Sequence, residues 1–142
     1  MRLVLDTSTM IAAIRSDAGA SRRLLVAGLR KRLTILASVP LMLEYQAVMT
    51  RHEHLEASGL TEKEVGDLLD AVAAVAEPVR LLFHWRPVAR DPDDDMVVEA
   101  AVNGMADAIV TLNIRDFVEV EAQFGVQVLL PGDTVRRLEG RI

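Results

Sequence analysis

The short run Arg-Leu-Val-Leu at residues 2–5 ends in Asp6. A carboxylate at the end of a buried strand either caps the following helix or faces something that needs its charge. Glu44 sharpens that choice. On a helical wheel it shares a sector with Leu41, Tyr45 and Val48. A carboxylate on a core-facing stripe is costly unless it is paired or bound to a cation. The competing reading puts Glu44 at the stripe's edge, open to solvent or paired with Arg51. Asp93, Asp94 and Asp95 crowd a helix start, where acids favour the helix dipole. Asp95 also shares a face with Val98 and Val102, and adjacent acids repel each other until a cation relieves them.

Asn113 and Asp116 follow a later apolar run. They read either as a turn and a first-turn acid or as the completion of an acidic cluster. Thr111 is placed to hydrogen-bond a ligated carboxylate, or is an ordinary β-branched strand residue. Thr7, Ser8 and Asp94 stand beside these groups as candidates for orienting substrate or supporting the ligands. A donor set made only of oxygens suits Mg2+ or Mn2+ rather than zinc. His52 and His54 are two residues apart and diverge on a helix, which disfavours a zinc pair.

Such groups need a frame to bring them together. Short apolar runs predict strands over residues 2–5, 33–38, 79–84, 107–112 and 126–130. Helical spacing predicts helices over 9–15, 20–32, 40–51, 94–104 and 114–123. Another helix opens at the capping-box pattern Thr61-Glu-Lys-Glu64 and stops before Pro78, and a last one follows Pro131. Strands alternating with helices imply one α/β domain over residues 1–142, with a central parallel sheet of about five strands covered on both faces. In such sheets ligands sit beyond the carboxyl ends of the strands, where the strand order switches direction. Asp6 and Asn113 both fall at or just past such ends.

Composition narrows the functions. The 142 residues are 51% hydrophobic, enough for a sizeable core in one domain. Cysteine is absent, which excludes disulfides and thiolate sites. The first residues have neither the apolar length nor the cleavage site of a secretory signal. No apolar run approaches the roughly 20 residues of a membrane helix, so a cytoplasmic protein with no membrane partner is expected. The net charge of −5 makes the location of the basic residues matter more than the total. With one Trp, one Tyr and three Phe, a base-stacking platform is not expected.

Together these residues resemble the PIN-domain family of nucleases. The matching stretches are LDTST at 5–9, LMLEYQAVMTR at 41–51 and DPDDDMVVEAAVNGMADAIVTLNIRDF at 91–117. They occur in the family's order, and the closing VLLPGDTVRRL extends the likeness. The subgroup that is most similar is described as toxin components of toxin–antitoxin systems. The resemblance implies a three-layer α/β/α fold and metal-dependent hydrolysis of RNA, leaving 3′-hydroxyl and 5′-phosphate ends. Carried over by position, Asp6 is the first acid, Glu44 the second and Asp95 the third. Many relatives have Asp at the fourth position, where this chain has Asn113; Asp116, three residues on, is the candidate substitute. Ser8 stands where Asn is common.

On that resemblance Asp6, Glu44, Asp95 and Asp116 hold Mg2+ or Mn2+, while Asn113 and Asp116 orient water or a second ion. The basic residues within 22–32, with Arg51 and Arg115, would form a rim that grips RNA, or are plain helix surface. A small antitoxin partner and a homodimer are expected. Relief of carboxylate repulsion would let Asp6→Asn raise the metal-free stability. The alternative is a PIN scaffold that binds RNA or protein without cutting. A P-loop hydrolase is excluded by the missing Gly-x-x-x-x-Gly-Lys motif. A haloacid-dehalogenase-like phosphatase needs an Asp where Ser8 stands. A phospho-receiver domain needs a Lys after its last strand, and Lys31 and Lys63 lie elsewhere.

Overall fold

Leu3, Val4 and Leu5 have no exposed surface, the burial a strand acquires when helices cover both faces of its sheet. They belong to β1 (Arg2–Leu5), the middle strand of a computed structural model that describes residues 1–82 and 94–140. The other strands are β2 (Thr34–Ala37), β3 (Glu77–Pro78), β4 (Ala108–Val110) and β5 (Gln127–Leu129). The five form one parallel sheet in the order β3-β2-β1-β4-β5. Leu3, Val4 and Leu5 pair with Ala108, Ile109 and Val110. The chain first builds outward from β1 through β2 to β3, then returns to β1's other side for β4. The switch point therefore lies between β1 and β4.

Helices α1 (Thr7–Arg15) and α2 (Ala20–Leu29) connect β1 to β2. Helices α3 (Val39–Met49), α4 (His52–Ser58) and α5 (Glu62–Val75) connect β2 to β3. Helix α6 (Asp95–Asn103) leads into β4. A 3-10 turn (Ile114–Phe117) and α7 (Val118–Phe124) lead into β5, and α8 (Pro131–Leu138) follows it. This is the expected three-layer α/β/α sandwich. The apolar core joins Leu3, Val4 and Leu5 of β1 to Leu24 and Leu25 of α2, Tyr45 and Met49 of α3, and Val97 and Val98 of α6. Each such side chain contributes roughly 1.5–3 kcal/mol on burial.

Two helix directions decide what reaches the site. Helix α2 must run back along the sheet before β2 can start parallel to β1. Its end lies near the sheet's amino edge, since Thr34 N–H bonds Met1 O at 2.8 Å. Helix α6 also runs back. Its C-terminal Gly104 carbonyl accepts from the Arg2 guanidinium at 2.7 Å, at the amino end of β1. Nine helical residues span about 13 Å, close to the height of a four-residue strand. The start of α6, Asp95, is thereby carried toward the carboxyl end of the sheet.

Several sequence expectations need correction. The third strand is not 79–84 but Glu77–Pro78, paired with Leu36 and Ala37. Pro78 and the apolar run after it drew the expected strand too late; residues 83 and 84 lie outside the described set. Helix α2 ends at Leu29 rather than 32, where Lys31 adopts a left-handed φ of 60°. Helix α4 was not anticipated, because HEHLEAS has no buried residue to set a period. The segment 114–123 divides into a 3-10 turn and α7. The capping box forms: Thr61 and Glu64 exchange side-chain and backbone bonds. Among the described residues no helix is long and apolar enough to cross a membrane.

Candidate active site

Asp6 follows β1 directly, is 3% exposed, and caps α1. The cap alone does not account for its contacts. Its Oδ1 accepts from Thr7 N–H at 2.8 Å. Its Oδ2 accepts from both the Ser8 and Thr111 hydroxyls at 2.7 Å. Each hydroxyl has one proton to give. Ser8 Oγ also accepts Leu112 N–H at 3.1 Å, and Thr111 Oγ1 accepts Asn113 N–H at 2.9 Å. A backbone N–H must be the donor in those bonds, so both hydroxyl protons are left for Asp6. The 3.4 Å contact between the two hydroxyls is then not a hydrogen bond between them. The loop after β4 is thereby fastened to Asp6, with Ser8 bridging the carboxylate and Leu112 N–H.

Asp95 is 1% exposed at the first turn of α6. Asp94 precedes it as the N-cap residue, without a side-chain cap bond. Asp91 and Asp93 lie outside the described residues. Glu44 is half-buried, whereas Leu41, Tyr45 and Val48 of its sector are buried. It therefore sits on the edge of the stripe, and it makes no ion pair with Arg51 among the described residues. Tyr45 is fully buried and donates its hydroxyl to Leu5 O at 2.5 Å. Burial, and secondarily the Asp6 carboxylate, push its pKa far up, so the phenol stays a donor. Asn113 is exposed. Asp116 is half-buried in the 3-10 turn, its backbone bonded to Asn113 O at 3.0 Å. Thr7 contributes its backbone N–H rather than its side chain.

The expected basic rim is only partly supported. Arg30, Lys31 and Arg32 follow α2 and sit at the sheet's amino end, away from Asp6. Arg22 pairs with Asp17 at 3.4 Å and bonds Ala13 O. Arg23 pairs with Glu139. Arg115 is exposed in the turn that bears Asp116 and makes no ion pair among the described residues.

One buried acid was overlooked. Glu99, one turn after Asp95 on α6, has no exposed surface. The signal was present in VVEAAV, where an acid interrupts an apolar run four residues beyond Asp95. Its backbone carbonyl accepts from Asn103 Nδ2 at 2.8 Å.

Among the described residues no three acidic or imidazole side chains form a ready-made metal cluster. Mg2+ keeps several waters and binds through one or two carboxylates plus substrate phosphate. The oxygen-only donors and the buried Asp6 and Asp95 fit a hydrated ion of this kind. Ligating carboxylates are themselves held by hydrogen bonds, as Asp6 is.

A parallel α/β sandwich with a clamped acid at its switch point defines a class of carboxylate-based site. The chain belongs to the PIN-domain family, whose model matches residues 2–115. The match takes in Asp6, Glu44, Asp95 and Asn113 and stops one residue before Asp116. No curated protein matches the chain. PIN domains are generally nucleases, hydrolases that act on nucleic acid and typically use divalent metals.

Proposed function

We propose that the protein is a Mg2+- or Mn2+-dependent endoribonuclease. The observation that carries this reading is the buried Asp6, clamped by Ser8 and Thr111 at the switch point. Asp95, buried at the same end of the sheet, supports it. Asp6, Glu44, Asp95 and Asp116 would hold the ion. When bound, it supplies Lewis-acid assistance to phosphodiester hydrolysis. Asn113 and Asp116 lie on the solvent side and orient water. Arg115 meets the phosphate backbone, a contact that positions RNA without reading its sequence.

The test is incubation of the purified protein with RNA and Mn2+, beside an EDTA control and Asp6→Asn. Cleavage that needs the metal and vanishes in the variant is expected. Cleavage equal in wild type and Asp6→Asn would sink the assignment.

We further propose a cytoplasmic toxin, a homodimer in solution, paired with a small antitoxin that covers the site. The support is the ordered run of toxin-like motifs. Expression should arrest growth, and coexpression of an adjoining short reading frame should relieve it. Arrest that persists in Asp6→Asn would disconnect toxicity from the site.

The exposed amide of Asn113, where many relatives carry an acid, favours a second reading: a scaffold that binds RNA or a partner without cutting. A calorimetric titration that detects no Mn2+ binding would select it.

A further inference from the structure

In a trans peptide the N–H and the C=O point to opposite sides. Asp6 N–H reaches Val110 O on β4 at 2.9 Å. The Leu5 carbonyl, in the same peptide, therefore faces the β2 side. There β2 ends at Ala37, and Ser38 already caps α3 by accepting Leu41 N–H at 3.3 Å. The ladder position beside Leu5 is taken instead by the Tyr45 hydroxyl, at 2.5 Å.

A buried phenol needs an acceptor, but many would serve. This one joins α3 to the peptide that begins Asp6. One peptide unit is thus tied to β4 on one side and to α3 on the other. Glu44 is the residue before Tyr45, and its half-exposed side chain makes no hydrogen bond or ion pair of its own among the described residues. Its location is therefore inherited from the helix.

We propose that Tyr45 is a positioning residue, whose hydroxyl, bonded to the Leu5 carbonyl, fixes where α3 presents Glu44 relative to Asp6. This rests on the reading of Glu44 and Asp6 as metal-holding acids. The ring fills the core, and a Phe would do that equally well. The hydroxyl sets the spacing between acids delivered by two different elements.

The test measures Mn2+ binding by calorimetry on the whole protein without RNA, together with the Mn2+ dependence of cleavage. Tyr45→Phe should weaken Mn2+ binding about tenfold, the lower range for groups that support ligands. Excess Mn2+ should restore the rate, with KM for RNA unchanged. Met49→Ala is the control. It opens a void on the same buried face of α3 while keeping the Tyr45 hydroxyl and its Leu5 acceptor, and should lower Tm while leaving Mn2+ affinity as in wild type. Should Tyr45→Phe not fold, Glu44→Asp retracts the carboxylate by one methylene outside the core and should weaken Mn2+ binding similarly.

Mn2+ affinity unchanged in Tyr45→Phe, or reduced as much by Met49→Ala, overturns the proposal. So does unchanged affinity in Glu44→Asp. If the wild type binds no Mn2+, the metal reading itself fails. If the wild type binds Mn2+ and Asp6→Asn does not, but Tyr45→Phe binds normally, only the positioning role is lost.

Discussion

Thr111 Oγ1 donates to Asp6 Oδ2 at 2.7 Å, although the two residues are 105 positions apart. The bond is fully buried at the threonine and ends on a carboxylate. Hydrogen bonds to charged groups contribute roughly 1.5–3 kcal/mol. Thr111→Val keeps the shape and removes the donor. It should cost about 2 kcal/mol in urea unfolding and reduce Mn2+-dependent cleavage. A loss within the roughly 0.5 kcal/mol of an ordinary surface substitution would show that the bond carries little.

The geometry at Asp6 reverses one expectation. Repulsion among acids suggested that Asp6→Asn would raise metal-free stability. Yet donors converge on both carboxylate oxygens, and an amide brings a donor of its own. One NH2 group must face Thr7 N–H or the two hydroxyls, each already accepting a backbone N–H. Asp6→Asn should therefore lower stability by about 1–3 kcal/mol, read from the unfolding midpoint. An increase would mean that repulsion outweighs the clamp.

The amino end of the sheet offers a change remote from the site. A Cβ on Gly104 would stand 2.8 Å from Ala100 O and 2.9 Å from Val79 Cγ2. The carbonyl belongs to α6 and cannot swing aside. Gly104→Ala should cost about 1–3 kcal/mol, the usual range for overpacking, and leave Mn2+ affinity untouched.

How much could be read beforehand follows the same physics. β1 and β4 were legible because a strand buried on both faces is apolar throughout and ends abruptly in polar residues. Asp6 was legible by its place, and the Thr61–Glu64 box by its reciprocal chemistry. The two residues of β3 carry no period, and α4 has no buried face, so neither left a pattern. The basic run at 30–32 lies at the amino end, because a helix returning between two parallel strands delivers its last residues there. Tyr45 looked like core filling, since spacing shows where a ring points but not what its hydroxyl meets. Glu99 was hidden by the apolar residues around it.

The exposed pair of Arg2 and Glu77 gives a pH signature. Its guanidinium contacts both carboxylate oxygens, at 3.0 and 2.5 Å. The hydrogen bond from Arg2 holds Glu77 below its ordinary pKa of 4.5. A depressed folded-state pKa contributes stability above the unfolded value and loses it as pH falls through the folded one. The contribution should thus be complete at neutral pH, fade below the ordinary carboxylate range, and shrink with salt. An NMR titration of Glu77 should give a midpoint below 4.5 in wild type and the ordinary value in Arg2→Ala.

The clamp on Asp6 also orders events in time. The partner hydroxyl on Thr111 leaves the ribosome 105 residues after Asp6 does. Until β4 docks beside β1, the acid has only its neighbours Thr7 and Ser8 to hold it. A nascent or truncated chain ending before Thr111 therefore carries the acid without the clamp. Assembly of the clamp therefore waits on the pairing of β1 with β4 and cannot precede it.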